Sequence, residues 1–86
     1  MNKDINIVKR DGSRENFSYD KLVTSIAKAG VPIADSENIA KELKEWIFVN
    51  TKNGEINSTV IRDKITEKLM PNFPVEADNY QVFKKS

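Results

Sequence analysis

The sequence predicts an α+β domain: a short β-hairpin, with a candidate third strand, forming a lid over a bundle of about four short helices. Three observations predict it. Residues 5–17, INIVKRDGSRENF, read as two short strands folded back at Asp11-Gly12. Four later segments carry apolar residues at helical spacing. Cap and stop residues such as Ser18, Gly30, Pro32 and Pro71 separate those segments.

The hairpin has two candidate registers. A two-residue loop at Asp11-Gly12 sets Lys9 opposite Arg14, and facing like charges are destabilising. A three-residue loop, Arg10-Asp11-Gly12 with Gly12 left-handed, pairs Ile5 with Phe17, Ile7 with Glu15 and Lys9 with Ser13. It gains an apolar pair and sets Lys9 diagonal to Glu15 on the face carrying Ile5, Ile7 and Phe17, so it is preferred. Residues 1–4 read as a frayed end.

Ser18 is a good N-cap for a helix over residues 19–29, with Leu22, Val23, Ile26 and Ala29 as its apolar stripe. Gly30 and Val31-Pro32 end it. Asp35 or Ser36 is expected to cap a second helix reaching about Val49, with Ile39, Ala40, Leu43, Trp46 and Ile47 inside and Lys41, Glu42, Lys44 and Glu45 wet. Residues 50–54, NTKNG, read as a loop, and residues 55–57 as a short extended piece that adds to the hairpin. Asn57 or Ser58 caps a third helix to Met70, built on Ile61, Ile65 and Leu69 with Val60 and Met70 beside them. Pro71 stops it, and Phe73-Pro74 opens a last helix carrying Phe73, Ala77, Tyr80 and Phe83.

Residues 1–86 fit one small domain with no internal repeat or separating linker. A domain of this size buries only about 60–65% of its unfolded surface, so a ligand is expected under a flap or in a surface groove. Fourteen Lys and Arg against thirteen Asp and Glu argue against a general nucleic-acid coat but leave room for a local basic cluster. Without Cys there is no disulfide or thiolate chemistry, and without His the commonest general base and metal ligand are missing. Neither Gly-rich phosphate cradle occurs, no nucleophile is paired with a base, and no carboxylate cluster suggests a metal. Catalysis is not expected. With no apolar run near 18 residues and no leader-like start, the sequence reads as a soluble cytoplasmic protein, with no membrane partner.

The positive evidence is a convergence of cations. Lys9, Arg10 and Arg14 lie on the hairpin, and Lys21 stands in the first turn of the first helix, where the dipole favours anions over cations. The hairpin and that helix join at Ser18, so their cations can face one groove. A polyphosphate would neutralise the cluster and use Lys21 together with N–H groups at a helix start. Ser58 and Arg62 can reach the same anion if the third helix begins beside the hairpin. Ile7 can lie against a flat base, and Glu15 can accept from an exocyclic amine. The plainer alternative is that the hairpin cations protect a sheet edge, Ser58 is only a cap and Arg62 only a surface residue.

Residues 8–15, VKRDGSRE, followed by F-x-x-D-K-L over residues 17–22, resemble the opening of the ATP-cone family. S-I-x-K-A-G-V-P over residues 25–32, E-I-N-S-T-V-I-R over 55–62 and, more weakly, Y-x-V-F-K-K over 80–85 are similar to its later segments. The resemblance covers essentially the whole chain. It implies a non-enzymatic, nucleotide-binding regulatory module, with a small sheet lid over a four-helix bundle. Such cones stand at the N-terminus of many ribonucleotide reductases, where ATP or dATP sets activity through oligomeric state; they also occur in the repressor of ribonucleotide reductase genes and fused to a few kinases. The implied ligand is ATP or dATP, with Mg²⁺ accompanying the nucleotide. The implied partners are a second cone or a ribonucleotide reductase-type enzyme.

By the same resemblance Lys9, Arg10 and Lys21 match phosphate-contacting residues. Ile7 and Val8 match the strand that lines the base, and Glu15 a base-side polar contact. Ser58 and Arg62 match positions that approach the phosphates and vary within the family. Ser18 stands where some members have Asn. The chain ends at Ser86, soon after Phe83, which leaves a basic contact from Lys84 open. The competing hypothesis keeps the fold without the nucleotide, as a protein-interaction or nucleic-acid-binding module whose basic hairpin grips phosphodiesters, a reading weakened by the near-neutral charge.

Overall fold

The structure, a computed structural model, describes the backbone of residues 5–85 and the side chains of residues 5–81. Residues 1–4 and the side chains of Phe83 and Lys84 lie outside the described residues. Strands β1 (Asn6–Val8) and β2 (Arg14–Asn16) form the hairpin. Gly12 has φ +88°, and its N–H donates to the Lys9 carbonyl at 2.9 Å, closing the turn. Lys9 N–H donates to Ser13 O and Phe17 N–H to Ile5 O, each at 2.8 Å, and Ile7 faces Glu15. This is the three-residue register. The Asp11 carboxylate tightens it by accepting from the Ser13 hydroxyl (2.7 Å) and N–H (2.9 Å). Those bonds hold its carboxyl below the usual range.

Strand β3 (Glu55–Asn57) pairs parallel to β1, Ile7 beside Ile56 and Val8 beside Asn57, so the sheet order is β2-β1-β3. The expected third strand is present. The approach to it is more ordered than a plain loop. Asn53 (φ +54°) and Gly54 (φ +77°) are the central residues of a two-residue turn, across which Lys52 and Glu55 exchange backbone bonds of 3.0 and 2.9 Å. Asn-Gly tolerates two successive left-handed residues at little cost.

Helix α1 (Tyr19–Lys28) starts at Ser18, whose Oγ accepts from Lys21 N–H at 3.3 Å, and Gly30 (φ +110°) follows its end. Helix α2 (Ile33–Asn50) begins ahead of the expected Asp35 or Ser36 cap. Pro32 is its N-cap, so the break between helices is short. Ser36 lies inside the helix, fully buried. Its N–H donates to Pro32 O (2.8 Å) and its hydroxyl to Val31 O (3.2 Å). Helices α3 (Ser58–Leu69) and α4 (Pro74–Lys85) complete an α+β fold, with one mixed sheet and four helices among the described residues.

Ile26, Leu43, Ile47, Ile65 and Leu69 are fully buried between α1, α2 and α3, and Ile5 and Ile56 join them from the inner face of the sheet. Val60 and Met70, expected beside the α3 stripe, are exposed instead, because the stripe is one residue wide. Lys44 is only half wet: its ammonium stands 5.5 Å over the Tyr19 ring. No helix among the described residues is long and apolar enough to cross a membrane.

Candidate functional site

Strand alternation sorts the hairpin side chains. Ile5, Ile7, Lys9, Glu15 and Phe17 take the inner face, and Val8 and Arg14 the outer one. On the outer face Arg14 Nε reaches across β1 to Glu55 Oε2 at 2.7 Å. Arg14 therefore leaves the cation cluster in which the sequence reading put it. Val8, proposed to line a base, stands off the cleft for the same reason.

Beneath the inner face lies an open cleft of about 440 Å³, within the range of small-molecule sites. Its rim is cationic: Lys9 and Arg10 from the hairpin turn, Lys21 from the first turn of α1, Arg62 from α3. Ser58 adds a hydroxyl at the start of α3, and Ser18 lies at the hairpin–helix junction. Asn57, the N-cap of α3, makes no side-chain capping bond, so the first turn of that helix presents its N–H groups without one. Ile7 and Glu15 line the roof. Thus Ile7, Lys9, Arg10, Glu15, Ser18, Lys21, Ser58 and Arg62 come together around one space, and Val8 does not.

The cleft also uses residues that the sequence reading assigned no site role. Phe17, Leu22, Ile61 and Ile65 form an apolar floor. The sequence reads Leu22, Ile61 and Ile65 as helical core and Phe17 as the cross-strand partner of Ile5, so the stripes that fill the core also line the cleft. At the inner end the Ser25 hydroxyl donates to Tyr80 Oη at 3.5 Å, and Thr59 stands beside Ser58. Burial pushes the Tyr80 phenol above its ordinary value. Only the helical spacing Ala77–Tyr80 hinted at its inward side; nothing local points to Ser25.

Two carboxylates line the rim, Asp11 and Glu15, and Glu15 is the one that pairs with its lysines. Glu15 Oε1 lies 2.9 Å from Lys9 Nζ and Oε2 lies 3.1 Å from Lys21 Nζ. The hydrogen bonds from Lys9 and then Lys21 hold the Glu15 carboxyl below the usual range, and Glu15 in turn raises Lys9. Arg62 has a looser pairing with Asp63 at 3.6 Å. Among the described residues no group of three or more carboxylates could hold a metal ion.

A cationic rim over an apolar floor suits a ligand that is anionic at one end and flat and apolar at the other. The comparison with known families agrees. The ATP cone domain model matches residues 5–86, and the chain belongs to that family of nucleotide-binding regulatory domains. It is similar to proteins named transcriptional repressor NrdR: 37% identical over 67 residues in Streptococcus uberis, 36% over 66 in Desulforapulum autotrophicum and 33% over 67 in Streptococcus pyogenes. Each match covers 73% of this chain and 40% of the relative, so the chain spans well under half the length of the curated relatives it matches.

Proposed function

We propose that this ATP-cone domain binds ATP or dATP in the cleft below the hairpin and passes the bound state on as a change in self-association or in a partner's activity. The observation that carries this reading is the convergence of Lys9, Arg10, Lys21 and Arg62, from the hairpin, α1 and α3, on one rim above an apolar floor. The phosphates lie against Lys9, Arg10 and Lys21, with Ser58, Arg62 and the α3 N-terminus completing the cradle. The base takes the apolar interior beside Ile7, Phe17 and Ile61. Mg²⁺ is carried by the phosphates, since among the described residues no group of three or more carboxylates could hold it. Because the relatives are named transcriptional repressors, we take gene expression as the output to test first, ahead of a ribonucleotide reductase-type enzyme.

The test is calorimetric titration with ATP and with dATP in Mg²⁺, beside light scattering of the same samples. Saturable binding with a shift in mass is expected. No binding of either nucleotide at millimolar concentration refutes the reading. Binding without any change of mass would leave the nucleotide site standing and remove self-association as its output.

A further inference from the structure

The two lysines on the cleft rim come from separate elements, yet a single carboxylate pairs with both and leaves the trio one charge positive. Glu15 sits at the middle of β2 opposite Ile7, and its carboxylate gives one oxygen to Lys9 (2.9 Å) and the other to Lys21 (3.1 Å). That is the geometry a phosphate group would use: two oxygens of one anion, each on a separate ammonium. Arg10 lines the same rim and has no ion pair among the described residues. The rim therefore has two cations already engaged by an internal anion. Glu15 is also the residue for which the sequence suggested a base-side role, and the structure turns its carboxylate to the lysines.

We propose that Glu15 is a built-in counter-anion of the cleft, holding Lys9 and Lys21 as a phosphate would, so that a polyphosphate enters by exchanging with the carboxylate. This rests on the reading of the cleft as a polyphosphate site. The exchange has three consequences. The lysines are pre-gathered from two elements. Anion binding is weaker than the rim's charge alone suggests, because an incoming phosphate must displace or sit beside a negative group. And the carboxylate, once displaced, becomes available to accept from the rest of the ligand.

The pairs are exposed enough that each resists replacement only weakly: the Lys9 and Lys21 side chains are 52% and 71% accessible. Removing the carboxylate should then tighten anion binding several-fold, roughly three- to tenfold, and not by orders of magnitude. A contact to the base alone predicts weaker ATP binding with tripolyphosphate unchanged, and a strut that only holds the lid predicts weaker binding of both.

The experiment titrates wild type and Glu15→Gln with inorganic tripolyphosphate, which has no base, and with ATP; melting curves show that the variant is folded. The expected result is tighter tripolyphosphate binding by Glu15→Gln. ATP should gain less, or lose, because the displaced carboxylate no longer serves the base. Glu15→Ala, which keeps no hydrogen-bonding group to hold the lysines, should also bind tripolyphosphate more tightly. Unchanged or weaker tripolyphosphate binding in both variants, with ATP still bound by wild type, overturns the inference while leaving the nucleotide site intact. If wild type and both variants bind neither probe, the nucleotide reading falls, and this inference falls with it.

Discussion

Gly12→Ala isolates the backbone cost of the hairpin turn. Gly12 has φ +88°, and a Cβ added there would meet nothing within 4 Å. Sterics with neighbours therefore contribute nothing, and the whole effect comes from the left-handed backbone. An L-residue there costs about 1–2 kcal/mol. The unfolded chain becomes stiffer on losing glycine, which returns about 0.4–1 kcal/mol. The net expectation is a loss of about 1 kcal/mol, or roughly 4–8 °C in Tm for a domain of this size. Gly12→Asn should cost less, because asparagine visits this region more readily. Urea denaturation of the three proteins, followed by circular dichroism, measures the series. Wild-type stability in Gly12→Ala would refute the left-handed turn. Equal losses in the Ala and Asn variants would show that the cost has some other origin. Gly30→Ala is the contrast: φ is +110°, and the new Cβ would approach Glu76 Cγ at 3.3 Å, so a steric cost adds to the backbone one.

Three further outcomes are expected. Lys9→Ala and Lys21→Ala should each weaken ATP binding by about tenfold or more, whereas Arg14→Ala, on the outer face of the sheet, should leave the affinity within about threefold; calorimetry decides, and an equal loss in all three would mean that general charge and not the cleft attracts the ligand. Leu43→Ala removes a fully buried side chain remote from the cleft and should cost about 2–5 kcal/mol, read as a lower urea midpoint. The Tyr80 phenol is raised by burial, so it ionises in the unfolded chain before the folded one; its contribution is intact below its ordinary value of 10.0 and fades as pH climbs through the folded value. Tyr80→Phe should therefore flatten the alkaline fall in Tm, and an unchanged fall would show that other groups drive it.

The parts of this fold governed by local chemistry could be read from the chain. The Arg10-Asp11-Gly12 turn followed from the like-charge clash that the other register forces between Lys9 and Arg14. The α1 cap at Ser18 and the Gly30 stop are short-range signals too. Errors arose where tertiary packing outweighs local preference. Ser36 looked like a cap, yet it is buried, and its hydroxyl satisfies the Val31 carbonyl from inside the helix. Asn53-Gly54 is a strong turn dipeptide, but with a helix end on one side and a three-residue strand on the other the bonded turn it makes looked like a plain loop. At the site, basic residues on the hairpin and on one helix start were visible, and strand period alone could have excluded Val8 and Arg14. The apolar floor and the Ser25–Tyr80 pair were not visible, because residues 55 positions apart meet only through the packing of α1 and α4.

The parallel pairing of β3 with β1 explains why an 86-residue chain can assemble this site at all. In that register Asn57 lies beside Val8, so the next residue, Ser58, comes level with Lys9 as α3 begins. An antiparallel β3 would send α3 away from the other end of the sheet and carry Ser58, Thr59 and Arg62 off the rim. The hairpin has the complementary effect. Because β2 runs antiparallel, it delivers Ser18 and the start of α1 beside Ile5, about 13 Å back along the strand from Lys9. The long Lys21 side chain then reaches forward to Glu15, opposite Ile7. Three strands of three residues each thus aim two helix starts and one turn at a single space, and the inner face of the same sheet closes the core below. β2 is an edge strand, paired on one side only, so the rim is the part of the molecule that a bound anion can most readily stiffen. That makes the β2 edge and the hairpin turn the places where amide exchange should slow first when ATP binds. Equal protection across α2 and α3, with no change in residues 7–16, would show that the hairpin is not the responsive element.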